Sequence, residues 1–273
     1  MVEVGRDRRK SSSEVVSQAI QLLNLVFKRQ PMTLELLKSK TGRTLIESHR
    51  GVEGDVPENS WSAIKLGHQL CADLIEVDIQ LSQDGVAFLR HNYQLPDGRW
   101  CHDVPWDELK ELKIQGEPLP KLEDVLVWAR DASVHLSLDM KTFFRTEGSL
   151  AKEVVRLLEQ TNTKDNVLLL FFDHEELLHT KLARPELTVR ALLTGRLVNI
   201  AEYLQKIKAD CLSVSYGLFR PEDIEQIHSI GAALVLIDYW NQNSDLFQQY
   251  DIDVLSVGNP INARRILNHQ QKR

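Results

Sequence analysis

The chain has 273 residues, of which 42% are apolar and 26% charged, a composition typical of a globular protein with a sizeable core. Its formal charge of -6 argues against nucleic-acid binding through a broad basic surface, and no apolar run approaches the roughly 20 residues that span a bilayer. Cys71, Cys101 and Cys211 lie far apart and predict neither a disulfide framework nor a zinc site, which favours a reducing, cytoplasmic setting.

Residues 1–40 differ from the remainder of the chain and predict a helical extension. A basic block at residues 6–10 leads into a run of serines at 11–13, which is typical of a helix N-cap. Apolar residues then recur at helical spacing over 15–27. We interpret this segment as a helix packed on the main domain, residues 41–273. A basic start with an apolar stripe also suits a helix that contacts a membrane surface or a partner protein, and this alternative stays open.

From Thr44 onward, short apolar strands alternate with amphipathic helical patterns. The predicted strands span residues 44–48, 73–81, 86–91, 134–140, 166–171, 187–192, 210–214, 232–237 and 254–256. The predicted helices span residues 57–70, 104–112, 121–130, 150–160, 175–183, 198–206, 221–229 and 262–270. This alternation predicts an α/β fold.

The third predicted strand follows the second too closely for a parallel connection. Only a short turn containing Asp84-Gly85 separates them. A parallel crossover needs roughly a dozen residues, whereas Asp-Gly between two strands is a strong hairpin signal. We therefore expect the chain to turn back, so that His91 returns to the level of Glu76 and Asp78.

With that hairpin strand set aside, about eight strand–helix units remain, which predicts a (β/α)8 TIM barrel. An open doubly wound sheet would require a glycine-rich phosphate loop after its first strand, and His49-Arg50-Gly51 stands there instead. In a TIM barrel, catalytic residues lie at the C-terminal ends of the strands.

Charged residues and histidines lie at these predicted strand ends. In chain order they are His49, Arg50, Glu76, Asp78, His91, Asp139 and Lys141. Residues i and i+2 of a strand face the same side, so Glu76 and Asp78 project together. Two carboxylates on one face of an apolar strand repel each other and favour a bound cation. The pattern therefore predicts a metal-dependent active site.

Short motifs follow one another in a fixed order between His49 and Lys141, most densely up to Asn92. They are His49-Arg50-Gly51, Pro57-Glu58-Asn59-Ser60, Glu76-Val77-Asp78, Asp84-Gly85, His91, residues 116–122 and Leu138-Asp139-Met140-Lys141. This ordered set resembles that of the glycerophosphodiester phosphodiesterase family. The resemblance implies a barrel of the phospholipase C-like phosphodiesterase type. It also implies metal-dependent hydrolysis of glycerophosphodiesters to glycerol 3-phosphate and an alcohol, within lipid or glycerol metabolism.

The chain departs from the family pattern at a few positions. Asn92 follows the second histidine where the family usually has Asp, and Asp139 stands where the family often has Glu. The segment 93–115 is short for the insertion that helps hold the glycerol end in many members. The resemblance therefore predicts the type of reaction, but it does not predict which alcohol is the leaving group.

The resemblance also assigns ligands and phosphate contacts. Glu76, Asp78 and Asp139 would bind Mg²⁺ or Ca²⁺, because both cations prefer hard oxygen ligands. Arg50 and Lys141 would bind the substrate phosphate, the first through its planar fork of donors and the second as a point charge. The implied substrate is a small glycerophosphodiester.

The two histidines are the implied acid and base. Imidazole titrates near neutral pH, so His49 would act as general base and His91 as general acid. The nucleophile is either water or the glycerol hydroxyl of the substrate, and the second route passes through a cyclic phosphate.

Other functions remain compatible with the same residues. Related barrels act on lysophospholipids or sphingomyelin-type lipids, in the manner of lysophospholipase D or sphingomyelinase D. A non-catalytic phosphate-binding barrel is the alternative from another class. In a purely structural interpretation, Arg50 and Lys141 would simply neutralise the neighbouring carboxylates.

Several other polar residues have a structural interpretation. Glu58 and Asn59 are interpreted as the start of a helix that shapes the site, with metal binding by Glu58 as the alternative. Cys101-His102-Asp103 is not expected to act as a triad, because such residues are brought together in space and not in sequence. The run 171–174 is interpreted as a buried strand end followed by a helix cap.

Overall fold

The computed structural model of the protein describes residues 44–54, 56–142, 148–239 and 249–270. The predicted helical extension, and with it the alternative of a contact with a membrane or a partner, lies outside these ranges. Within them, no helix combines the length and the apolar character needed to cross a bilayer.

The strands form a closed parallel barrel. In chain order they are β1 (Leu45–Ser48), β2 (Leu74–Leu81), β3 (Ala87–Leu89), β4 (Lys113–Ile114), β5 (Glu117–Pro118), β6 (His135–Met140), β7 (Val167–Phe171), β8 (Thr188–Leu193), β9 (Cys211–Ser215), β10 (Ala233–Ile237) and β11 (Val254–Val257). The barrel consists of β1, β2 and β6 to β11, and β1 closes it by pairing in parallel with both β2 and β11. The predicted (β/α)8 TIM barrel is confirmed.

Helices cover the outside of the barrel. They are α1 (Trp61–Gln69), α2 (Trp106–Leu109), α3 (Leu122–Asp131), α4 (Ser149–Thr161), α5 (His174–Ala183), α6 (Ile200–Ile207), α7 (Pro221–Ser229) and α8 (Pro260–Gln270). Apart from α2, apolar residues of these helices and of the outer strand faces form one continuous buried cluster, whereas Leu109 of α2 lies in a smaller cluster with Phe88 and Leu119. Burial of these apolar faces stabilises helices that would be too short to form alone.

Alternate residues of each strand face opposite sides of the barrel wall. In β2, Ile75, Val77 and Ile79 belong to the apolar layer under the helices, so Glu76 and Asp78 face the interior. The N-terminal end of the interior is closed by an apolar plug of Leu45, Leu74, Leu168, Cys211, Ala233, Val235 and Val254. The polar interior residues therefore lie above this plug, toward the C-terminal ends of the strands.

The predicted hairpin is confirmed, because β3 runs antiparallel to β2 with Ile79 opposite Leu89. The amide of Arg90 donates to the carbonyl oxygen of Asp78 at 3.0 Å, which continues the pairing beyond the strand. His91, the next residue, is thereby returned to the level of the β2 carboxylates.

The predicted helix over residues 104–112 is wrong in its extent, because α2 is a single turn. Val104 has an extended backbone, as expected for a residue that precedes a proline, here Pro105. After α2, the strands β4 and β5 form a second hairpin whose turn residues, Gln115 (φ 51) and Gly116 (φ 92), both adopt the left-handed conformation. Strands of two residues are too short to produce a detectable alternation in the sequence.

A fully buried ion pair crosses the barrel interior. Arg190 of β8 donates to Glu47 of β1 through Nη1–Oε2 at 2.7 Å and Nη2–Oε1 at 3.1 Å. The hydroxyl of Ser137 in β6 donates to the same carboxylate. Burial alone would raise the pKa of Glu47, but Arg190 lowers it below its ordinary value and keeps the carboxylate ionised. The pair, together with Ser137, thus joins three strands from the inside.

Removing one partner of this ion pair should destabilise the barrel. We expect Arg190→Met to lower the free energy of unfolding by roughly 3–5 kcal/mol, because the Glu47 carboxylate stays buried without its counter-ion. The control Arg156→Met breaks an exposed pair with Glu153 on α4 and should leave the free energy of unfolding close to that of the wild type. Urea denaturation measures both, and equal losses would contradict a special role for the buried pair.

Candidate active site

The turn after β1 brings the His-Arg-Gly motif to the barrel mouth. Arg50 (φ 52) and Gly51 (φ 86) both adopt left-handed backbone conformations, so the chain turns immediately after the strand. A Cβ atom on Gly51 would lie 2.6 Å from the carbonyl carbon of Ala63 in α1, which leaves no room for a side chain. Because Gly51 has no side chain, this loop can pack closely on α1. The amide of Arg50 in the same turn donates to Glu76 Oε2 at 2.8 Å.

Three buried carboxylates, those of Glu76, Asp78 and Asp139, meet above this turn. One oxygen from each lies within 4.8 Å of the others. Glu76 and Asp78 are two residues apart in β2, and Asp139 of β6 is the register partner of Asp78. The cluster follows from parallel pairing together with the two-residue alternation of side chains.

Cationic side chains compensate part of this negative charge. Lys141 Nζ lies 2.7 Å from Asp78 Oδ1 and 2.5 Å from Asp139 Oδ2. Arg50 Nε lies 3.4 Å from Asp78 Oδ2, and its Nη1 donates to Glu58 at 2.7 Å. Burial alone would raise the pKa of Asp78, but Lys141 and Arg50 lower it to about 2. Burial raises the pKa of Asp139 to about 6, although Lys141 opposes the rise.

Repulsion among the three buried carboxylates favours a bound cation. Burial, together with the charges of Asp78 and Asp139, raises the pKa of Glu76 well above its ordinary value. Asp139 Oδ1 is buried and has no hydrogen-bond partner in the described part of the chain. Carboxylate oxygens are the ligands that hard divalent cations prefer. The residues present therefore fit a metal ion, and this cluster can hold one.

Asn59 holds Asp78 from the loop that precedes α1. Its Nδ2 donates to Asp78 Oδ2 at 2.6 Å, and its Oδ1 accepts from the Asp78 amide at 2.9 Å. The predicted helix over residues 57–70 begins later, because Ser60 is its N-cap and accepts a backbone N–H of the first turn at 3.1 Å. Asn59 (φ 56) thus belongs to the loop and contacts the site directly.

His49 presents one ring nitrogen to the carboxylate cluster. Its Nδ1 is hydrogen-bonded to Glu53 Oε1, and its Nε2 lies 4.0 Å from Glu76 Oε2. The buried ring stacks on Tyr239, with centroids 3.6 Å apart and 12° between the planes. The sequence pattern did not identify Glu53 or Tyr239. An acid four residues after a histidine is the only signal for Glu53, and it does not show that the loop folds back.

His91 completes the site from the β2–β3 hairpin. Its Nδ1 lies 3.1 Å from Asn92 Oδ1. Burial lowers the pKa of His91, with Lys141 and Arg50 acting in the same direction and Asp78 opposing them. The ring is therefore within electrostatic reach of the same charged groups.

The structure thus brings the seven predicted site residues to one end of the barrel: His49, Arg50, Glu76, Asp78, His91, Asp139 and Lys141. Among the residues given a structural interpretation, Glu58 and Asn59 contact Arg50 and Asp78 of the site. Cys101-His102-Asp103 forms a 3-10 turn with Cys101 buried. Asp173 caps α5 by accepting the amides of Glu175 and Glu176, which confirms the predicted helix cap.

A cavity of about 670 Å³ opens beside the site. Glu53 and His91 of the site line it, together with residues of the β4–β5 hairpin. Many of its lining residues are apolar, among them Val56, Pro57, Leu89, Leu95, Ile114 and Leu119. The cavity therefore offers an apolar surface next to polar groups.

Known proteins resemble this chain in sequence and in fold. The sequence profile of the Glycerophosphoryl diester phosphodiesterase family matches residues 49–257. A glycerophosphodiester phosphodiesterase of Caldanaerobacter subterraneus is 26% identical over 204 residues, which cover 70% of this chain and 84% of that protein. A human lysophospholipase D is 32% identical over 74 residues, 27% of this chain and 23% of that protein. The structure of an Oleispira antarctica phosphodiesterase in complex with the product sn-glycerol-3-phosphate shares the fold, with a TM-score of 0.75 and 20% identity over 84% of this chain and 98% of that one.

Loss of the Asn59 amide should destabilise the site and with it the fold. We expect Asn59→Ala to lower the free energy of unfolding by roughly 1–3 kcal/mol, because buried groups of Asp78 lose their partners. The control Gln83→Ala truncates an exposed amide side chain in the β2–β3 turn and should change stability by less than about 0.5 kcal/mol. Urea denaturation gives both values, and an Asn59→Ala variant as stable as the control would show that Asp78 does not need this partner.

Proposed function

The chain belongs to the glycerophosphoryl diester phosphodiesterase family, and we propose that it hydrolyses glycerophosphodiesters to glycerol 3-phosphate and an alcohol. The observation that carries this proposal is the buried cluster of Glu76, Asp78 and Asp139, with His49 Nε2 4.0 Å from it at the mouth of the barrel. The Oleispira antarctica enzyme, whose structure holds sn-glycerol-3-phosphate, supports the proposed product.

We assign a divalent cation, Mg²⁺ or Ca²⁺, to Glu76, Asp78 and Asp139. Bound there, the cation would supply Lewis-acid polarisation of a phosphoryl oxygen. The unpartnered Asp139 Oδ1 and the raised pKa of Glu76 support binding of positive charge at this position.

Arg50 and Lys141 would bind the substrate phosphate. A phosphodiester is an anion that repels a nucleophile until its charge is neutralised. Both side chains already contact Asp78, so their positive charges lie at the edge of the carboxylate cluster. From there they can donate hydrogen bonds to phosphate oxygens, and such charge-assisted bonds are stronger than neutral ones.

His49 would act as general base. Its Nε2 faces the cluster while its Nδ1 is engaged by Glu53, so Nε2 is the nitrogen available to accept a proton. That proton would come from water in direct hydrolysis, or from the substrate's own glycerol hydroxyl in the route through a cyclic phosphate.

His91 would act as general acid toward the leaving alcohol. In the protein alone its pKa is lowered by burial, with Lys141 and Arg50 contributing. A phosphate anion bound between these cations would reduce their effect on the ring and favour the protonated form. Substrate binding would therefore prepare His91 to donate its proton.

A lysophospholipid is the second candidate substrate, as for a lysophospholipase D or a sphingomyelinase D-like enzyme. The cavity of about 670 Å³ next to His91 favours it, because the apolar residues in its lining offer contacts to an acyl chain. The human lysophospholipase D that matches part of the chain supports the same reading.

The cation site can be tested without turnover. We expect Asp139→Asn to weaken binding of Ca²⁺ and Mg²⁺ by at least roughly tenfold, because affinity depends on the number of charged oxygen ligands. Asp165→Asn, at an exposed position outside the site, should bind as the wild type does. Isothermal titration calorimetry measures both, and unchanged affinity in Asp139→Asn would remove this residue from the ligand set.

The activity itself should be measured on glycerophosphocholine, glycerophosphoethanolamine and lysophosphatidylcholine, each with EDTA, Mg²⁺ or Ca²⁺. We expect release of glycerol 3-phosphate from the soluble diesters only when a divalent cation is present, since the carboxylate cluster needs it. His49→Ala should lower kcat by roughly 100-fold or more, which is the usual contribution of a general base. His102→Ala, an exposed histidine outside the site, is the matched control.

The same assay separates the candidates. Turnover of lysophosphatidylcholine alone would identify a lysophospholipid, and not a soluble glycerophosphodiester, as the substrate. Absence of turnover on all three substrates, with folded and cation-loaded protein, would contradict the proposed hydrolysis and favour a phosphate-binding barrel.

A further inference from the structure

We propose that Glu53 is a positioning residue for His49, which selects the ring tautomer and aims Nε2 at the reacting groups. This inference rests on the proposed function, in which His49 is the general base. Neither the composition of the loop nor its motif indicated such a role.

The hydrogen bond between Glu53 and His49 can form in only one direction, with the ring as donor and the carboxylate as acceptor. An ionised carboxylate has no proton to donate, so the ring must donate through Nδ1. A neutral imidazole has a single N–H, and placing it on Nδ1 leaves a lone pair on Nε2. The ring nitrogen that faces Glu76 is therefore the one able to accept a proton. The hydrogen bond from His49 also lowers the pKa of Glu53, which keeps its carboxylate ionised.

Backbone hydrogen bonds among Glu53 and the residues that follow β10 and β11 hold this loop in position. The Glu53 amide donates to the carbonyl oxygen of Gly258 at 2.8 Å, and the Gly258 amide donates to that of Tyr239 at 3.1 Å. A Cβ atom on Gly258 would lie 2.7 Å from both Glu53 Oε2 and the Tyr239 carbonyl oxygen. The glycine after β11 thus leaves the space that the carboxylate occupies.

Tyr239 fixes the plane of the same ring. It stacks on His49 with 12° between the ring planes, so His49 can turn only within its own plane. The hydrogen bond to Glu53 fixes that remaining rotation. Stacking and hydrogen bonding together define the direction of Nε2, as an acid does for the imidazole of a hydrolase triad.

Glu53 also lines the cavity beside the site, so a second role must be distinguished. A carboxylate there could instead bind a cationic group of the substrate, such as an ammonium. That role would change KM, whereas a positioning role acts on the base and changes kcat.

The test uses Glu53→Gln in the full-length, cation-loaded enzyme, because the amide keeps the size of the side chain. An amide can donate or accept, so it no longer selects one tautomer. We expect kcat to fall roughly 10- to 100-fold, a part of what a general base contributes, with KM changed less than about twofold. Gly258→Ala displaces the Glu53 carboxylate and should also lower kcat with little change in KM. Glu225→Gln, exposed on α7, should behave as the wild type does.

The tautomer can be read independently of turnover from the ¹⁵N shifts of the His49 ring, in protein free of added metal. We expect the Nδ1–H form in the wild type and a mixture in Glu53→Gln. The same single tautomer in both proteins, or a change confined to KM, would overturn the proposal. An inactive wild type would instead refute the proposed function, while the ¹⁵N shifts would still decide whether Glu53 positions the ring.

Discussion

The site and the surrounding fold depend on how the buried carboxylate of Asp78 is accommodated. A carboxylate removed from water loses its solvation, and only ion pairs and hydrogen bonds make up for that loss. Lys141, Arg50 and Asn59 supply them from the end of β6, from the turn after β1 and from the residue before the cap of α1. Because these segments converge on one group, their arrangement is coupled to the chemistry of the site. Contacts that stabilise the barrel mouth also involve the residues to which we assign the proposed cation and phosphate.

The interior below the site is organised in layers of increasing polarity. An apolar plug closes the N-terminal end, and the ion pair of Glu47 and Arg190 lies above it. The carboxylate cluster follows, and Glu47 adds to the rise in the pKa of Glu76. Burial, with Glu76 and Glu47, also raises the pKa of Tyr239 well above its ordinary value. Tyr239 therefore stays neutral and offers His49 an uncharged stacking face, while Glu53 provides the charge at the ring edge.

The sequence allowed prediction of those parts of the site that depend on short-range regularities. The pairing of Glu76 with Asp78 follows from the alternation of side chains along one strand, and the return of His91 follows from an Asp-Gly turn. Asn59 was interpreted as part of a helix, because the cap at Ser60 cannot be told from a helix start by periodicity alone. Glu53 was missed because its contact with His49 depends on a loop, and loop conformations carry no periodic signal.

By itself, the sequence determined the barrel architecture and the position of two histidines and three carboxylates near the ends of its strands. Strand and helix periodicity record which side chains share a face. Tertiary structure alone decided which nitrogen of His49 faces the cluster and which cations compensate Asp78. It also decided that Gly258, some two hundred residues away along the chain, leaves space for Glu53. These are contacts between segments distant in sequence, and their geometry is set by barrel closure between β1 and β11. No local pattern encodes such closure, since it results from the packing of all the strands together.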